Sequence, residues 1–247
     1  MLGIIGGSGL ARLPDLNIDE RREMATPYGA PSSPLLAGTM AGRAVAFIAR
    51  HGEGHSIPPH RVNYRANLWA LHAAGVSEIA AVFAVGGISP DLGPGAVIVP
   101  AQLIDYTHGR DHTYSDGAGQ PVLHVDFTHP YTERVRRALL AAAAHARIDV
   151  VPRGVYAAVN GPRLETAAEI DRLERDGATI VGMTGMPEAG LARELGLDYA
   201  ALAVSVNFAA GRGSSTEQIA LDAIPAVLAQ TMTKACAILD QWVRLRD

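Results

Sequence analysis

Cysteine is nearly absent from this chain of 247 residues, where Cys236 stands alone. A disulfide framework within the chain is thereby excluded, and a reducing compartment fits. Lysine and arginine form no runs and the formal net charge is −4, which argues against a nucleic-acid footprint and leaves small molecules as the expected partners. No apolar stretch approaches the roughly 18 residues of a membrane span. The start carries no basic residues, so neither membrane nor secretory targeting is expected and a cytoplasmic setting is. Repeats and low-complexity tracts are missing too, and no composition shift marks a domain boundary.

What is present is a hydrophobic content of 48%, enough for one sizeable core. Short apolar runs predict strands at Leu2–Ile5, Ala44–Ala49, Ile79–Val85, Ala96–Ile104, Gly154–Val159, Thr179–Gly182 and Tyr199–Val206. Helical patterning covers about 63–74, 131–147, 166–176 and 188–195. A further helix occupies the C-terminal region; Pro225 would be damaging inside it, so Asp222 is expected as its N-cap. This alternation predicts an α/β fold with buried strands beneath helices on both faces, a three-layer αβα sandwich occupying 1–247 as one domain.

The opening "GIIGGSGL" runs a strand into Gly6, Gly7, Ser8 and Gly9, a pattern that aims backbone N–H groups at an anion. A dinucleotide fingerprint fails because Arg12 stands where its third glycine or alanine belongs. A nucleophile elbow fails at Leu10, and no Walker-type phosphate loop occurs. A bare phosphate held by Ser8 and the turn remains, beside an ordinary strand-to-loop turn. Other polar groups follow strand ends, where open α/β sheets place ligands: Arg50, His51 and His55 after one strand, Gly86–Gly87 in another, Met183–Thr184 after a third. Together they offer a guanidinium, an imidazole, hydroxyls and free N–H groups, which suit a doubly charged oxyanion. His108 and His112 have i,i+4 spacing but lack the zinc-site glutamate, so no metal is expected.

The segments "ARHGEGHSIPPHRVNYRANLWAL", "VNGPRLETAAE", "GMTGMPEAGLARELGL" and "LAVSVNFAAG", in order after the glycine-rich opening, resemble the purine nucleoside phosphorylase and methylthioadenosine phosphorylase family over nearly the entire chain. The resemblance implies a mixed, largely parallel sheet. It also implies a homotrimer and cleavage of a purine nucleoside by inorganic phosphate, without metal or organic cofactor. By position it assigns phosphate to Ser8, Arg50, His51, the backbone at Ala84 and Val85, and Thr184. Ala84 departs from the threonine of methylthioadenosine phosphorylases, which removes one side-chain contact. Met183 would lie against the ribose, and Asn207, with Phe208 and Ala209 beside it, against the purine. Asn207 and His51 would carry the catalytic roles.

Glu165 and Asn207 resemble the pair of the 6-oxopurine phosphorylases; methylthioadenosine phosphorylases have serine and aspartate there. A carboxylate can accept the N1–H of hypoxanthine but faces the lone pair of adenine N1. Glu165 has a second reading as a first-turn glutamate of the helix it precedes. Where inosine-cleaving members have a histidine for the 5′-hydroxyl, this chain has Leu221, with Ile224 nearby; these suit a methylthio group, or simply pack the helix. His124 resembles a residue that reaches the same pocket from a neighbouring subunit. The implied substrate is S-methyl-5′-thioinosine, giving hypoxanthine and 5-methylthioribose 1-phosphate. Methylthioadenosine, inosine or guanosine, and a non-catalytic purine-binding module are the alternatives.

Overall fold

The computed structural model describes residues 1–115 and 122–246. Among them, ten strands form one mixed sheet. They are β1 (Leu2–Gly6), β2 (Asn17–Arg22), β3 (Leu35–Met40), β4 (Arg43–Ala49), β5 (Glu78–Gly87), β6 (Val97–Ile98), β7 (Gln102–Asp105), β8 (Val155–Ala158), β9 (Ile180–Gly182) and β10 (Asp198–Phe208). The helices are α1 (Tyr64–Ala73), α2 (Glu133–His145), α3 (Ala167–Arg175), α4 (Glu188–Glu194) and α5 (Ile224–Arg244). Helix α1 packs with α4 and α2 with α5, completing the αβα layering.

The centre of the sheet reads as the apolar runs require. β1 lies parallel between β4 and β5, and β10 runs parallel to β5 from Asp198–Glu78 to Phe208–Gly87. Ile4, Ile5, Ala80, Val82, Leu202 and Val204 are fully buried there, as strands covered on both faces must be. The edge of β5 that β1 occupies over Glu78–Ala81 is taken by antiparallel β9 at Gly86–Gly87. The partners of this edge thus change between Ala81 and Gly86, and the chain ends leaving β1 and β9 converge there. Such changes of strand partner are where α/β sheets open a ligand crevice.

Three expectations are corrected. The run 96–104 is two strands, β6 and β7, because Pro100 has no N–H for a ladder. The hairpin β2–β3 stands where no strand was expected, since NIDERR is almost wholly exposed and carries no apolar pattern. Asp222 is not the cap of α5: Ala223 takes that place without a side-chain bond, and Pro225 falls in the first turn. The caps of α1 and α3 follow chemistry visible in sequence. Asn63 accepts from the N–H of Ala66, and Thr166 with Glu169 forms a reciprocal capping box on α3.

Candidate active site

At the strand-partner change lies a cavity of about 600 Å³. Its floor begins at the glycine turn. The N–H of Leu10 bonds Gly7 O at 3.0 Å, and Gly9 takes φ +79°, a conformation that L side chains rarely adopt. A Cβ on Gly7 would stand 2.6 Å from Val82 O and 2.8 Å from Arg50 Nη1. Glycine here therefore lets the backbone approach both the sheet and the guanidinium. Ser8 rides on this turn with Oγ 3.5 Å from His55 Nε2.

Arg50 follows β4 and is wholly buried. Glu188, at the start of α4, grips it with two bonds, Nε to Oε2 at 2.5 Å and Nη2 to Oε1 at 2.7 Å. Nη1 donates to Val82 O at 2.9 Å, and the guanidinium lies 5.0 Å over the Phe83 ring. Glu188 also accepts from Tyr199 Oη at 2.7 Å. Burial opposes the charge on Arg50, yet the Glu188 carboxylate prevails and holds its pKa above the usual value. Three of five donors are thus committed to the protein, which leaves one hydrogen on each Nη for an anion.

His51 Nδ1 stands 2.8 Å from Ile57 O. A carbonyl only accepts, so Nδ1 carries the hydrogen and Nε2 presents a lone pair. Burial, with Arg50 adjacent, pushes the imidazole pKa down to about 4. His51 is therefore a neutral acceptor, suited to the hydroxyl of a protonated phosphate oxygen. Thr184 follows β9; its N–H and that of Gly185 both donate to Tyr156 Oη, at 3.2 and 3.3 Å. Its hydroxyl is the group left for a ligand.

The same cavity carries the purine candidates. The register of β10 against β5 slips between Ser205 and Asn207, a bulge that re-aims the following side chain. Asn207 Nδ2 donates to Phe208 O at 2.7 Å, leaving Oδ1 and one N–H. Glu165 precedes the cap of α3 and lines the cavity. The capping box engages Thr166 and Glu169, and Arg163 pairs with Glu169 at 2.7 Å, so Glu165 is not the helix-dipole glutamate of its second reading. Burial raises its pKa, against a bond from its own backbone N–H.

Ser8, Arg50, His51, Ala84, Val85, Glu165, Met183, Thr184, Asn207 and Ile224 all line this one cavity. The structure does not bring the other four there. Leu221 is 62% exposed and His124 is exposed. The Phe208 ring packs toward Gly93 and Gly213, and Ala209 sits in a small apolar cluster with Ile170 and Val181. Leu228, one turn beyond Ile224, also lines the cavity. Sequence reasoning missed Glu188 and Leu228; both lie in helices whose polar or apolar pattern is ordinary, and only the fold turns them inward. Among the described residues no cluster of three or more His, Cys, Asp or Glu could hold a metal ion.

Residues 1–244 match the family model described as "Phosphorylase superfamily". A probable S-methyl-5′-thioinosine phosphorylase of Pseudomonas syringae pv. tomato is 55% identical over 236 residues, covering 96% of this chain and 95% of that protein. The 6-oxopurine nucleoside phosphorylase of Pyrococcus furiosus is 46% identical, covering 85% of this chain and 80% of its own. A solved methylthioadenosine phosphorylase of Schistosoma mansoni, in complex with adenine, superposes with a TM-score of 0.93 at 34% identity, covering 99% of this chain and 91% of that one. With this coverage by family model, relatives and fold alike, the chain belongs to the phosphorylase superfamily.

Proposed function

We propose that this protein is a pentosyltransferase that cleaves S-methyl-5′-thioinosine with inorganic phosphate, releasing hypoxanthine and 5-methylthioribose 1-phosphate. The carrying observation is that one cavity gathers Arg50, His51, Ser8 and Thr184, a set suited to an anion, with Glu165 and Asn207, a pair suited to a 6-oxopurine, and Met183. The kinship to a probable S-methyl-5′-thioinosine phosphorylase at 55% identity supports the same substrate.

As the bond from C1′ to N9 lengthens, positive charge grows on the sugar and negative charge on the base. Phosphate held by Arg50 stabilises the cation and forms the new C1′–O bond. The N9 electron pair leaves with the purine, and in net balance the proton of hydrogen phosphate ends on hypoxanthine. Asn207 donates its remaining N–H to the charge building at N7. Glu165, as a carboxylate, accepts from N1–H. Ile224 and Leu228 give the 5′-methylthio group an apolar wall in place of a hydroxyl partner. No metal or organic cofactor enters this scheme, and a homotrimer in the cytoplasm is part of the proposal.

The test is incubation with methylthioinosine, methylthioadenosine, inosine and adenosine, each with and without phosphate. Methylthioinosine should be cleaved fastest and only with phosphate. Cleavage without phosphate indicates a hydrolase, and a binding module gives no turnover at all.

A further inference from the structure

Arg110 is a buried cation outside the proposed ligand shell, with no carboxylate partner among the described residues. Its neighbour Asp111 pairs instead with Arg65, at 2.7 Å. Its two Nη groups bond only neutral oxygens, while Nε has no partner among the described residues. Nη1 donates to Met186 O at 2.5 Å and Tyr64 Oη at 3.3 Å; Nη2 donates to Asn160 O at 2.9 Å and Val159 O at 3.3 Å. A buried charge without a counter-ion is costly, so what these bonds hold must matter.

They hold the loops that build the cavity. Val159 and Asn160 follow β8 and lead to Glu165, which lines the cavity. Met186 follows Met183 and Thr184 and precedes Glu188, the carboxylate that grips Arg50. These two loops meet in front of Arg110, where a Cβ on Gly161 would stand 2.3 Å from Met183 Sδ. The third branch runs through Tyr64, whose hydroxyl donates to Pro59 O at 2.9 Å, and Pro59 also lines the cavity. One planar fork thus spans three walls of the site, a geometry that a lysine's single ammonium does not reproduce.

We propose that Arg110 is a positioning residue for phosphorolysis, fixing the separation between Glu165 and Met183–Thr184. The inference rests on the function proposed above. Small misplacements of reacting groups cost on the order of a hundredfold in rate, so Arg110→Lys should lose about that factor in kcat/KM for the nucleoside. KM should rise for both substrates.

Arg136 provides the control. It is also buried and bonds backbone carbonyls, Pro100 O at 2.8 Å and Pro152 O at 2.5 Å, and it pairs with Glu133, but neither proline it holds lines the cavity, whereas Arg110 holds loops that do. Arg110→Lys and Arg136→Lys are compared at a temperature where circular dichroism shows both folded. The expected result is that both lower Tm while only Arg110→Lys changes the kinetics more than tenfold; kinetic constants within threefold of each other overturn the proposal. Should Arg110→Lys not fold, Tyr64→Phe cuts one branch and is expected to raise KM three- to tenfold, and unchanged constants overturn the proposal. Hydrogen exchange supplies a readout independent of turnover. Arg110→Lys should speed exchange at 159–165 and 183–187 relative to Arg136→Lys, and equal exchange counts against it. If the parent protein fails to release hypoxanthine, the functional reading falls and the exchange comparison still decides whether Arg110 joins the loops.

Discussion

At Arg50, one side chain carries a buried ion pair and, in the proposed function, the phosphate. Its bidentate pairing to Glu188 is fully buried on both sides, and removing one partner of such a pair leaves the other charged and unsolvated. Arg50→Ala should therefore cost about 3–5 kcal/mol of stability, read as a lower urea midpoint, and its kinetic effect is interpretable only where the variant is folded. Neighbouring His51 makes a pH prediction. Its folded pKa of about 4 lies below the ordinary value of 6.5, so the folded state binds fewer protons than the unfolded one. The stability it contributes is complete above pH 6.5 and is lost as pH falls toward 4, a change of about 3 kcal/mol. Urea unfolding at pH 7 and pH 4.5 should show this loss, and His51→Gln should lose less between the same pH values. In the proposed function, Glu165 and Asn207 select the base as a pair. Converting them to serine and aspartate should move preference toward methylthioadenosine, since a site built for a lost hydrogen bond discriminates by up to roughly 10⁴-fold. Ratios of kcat/KM for the two nucleosides measure it, and an unchanged ratio removes the pair from base selection.

Elements show why some of this was legible in the sequence and some was not. Strands buried on both faces announce themselves as apolar runs, so β4, β5, β8, β9 and β10 fall within a few residues of expectation. Helices with local caps were equally plain, because Asn63 and the Thr166–Glu169 box are sequence-adjacent chemistry. The polar strand β2 was invisible, since its pairing with β3 is set by register and not by burial. The cap of α5 lies one residue beyond the expected Asp222, and the proposed 5′ wall depends on where that helix begins. Ile224 and Leu228 face the cavity one helical turn apart, while Leu221 precedes the helix and points to solvent. Ile224→His should accordingly raise inosine relative to methylthioinosine by about 1–3 kcal/mol, or roughly ten- to two-hundredfold in kcat/KM. Leu221→His should leave that ratio unchanged. The reverse pattern would return the 5′ wall to Leu221.

At the scale of the whole molecule, a single chain leaves His124 unengaged. It is exposed and absent from the cavity wall, and beside it Val122 and Leu123 present apolar side chains that are 71% and 51% exposed. Contiguous exposed apolar residues mark interaction surfaces, and the proposed homotrimer gives this segment its use: reaching the 5′ end of the site in the next subunit. The segment could not be placed by sequence chemistry, because nothing in "VLHVD" distinguishes a contact with a neighbour from a surface loop. Light scattering should report three copies. Leu123→Asp should lower the assembled mass and, with it, kcat/KM for the nucleoside. His124→Ala should keep the mass and lower kcat/KM for the nucleoside, while KM for phosphate, assigned in the proposal to Arg50 and Thr184, stays within twofold. This split distinguishes a substrate contact from an assembly contact, because loss of assembly would disturb both substrates together. A monomer with full activity would remove the trimer and the role of His124 at once, leaving Ile224 and Leu228 as the whole of the 5′ pocket.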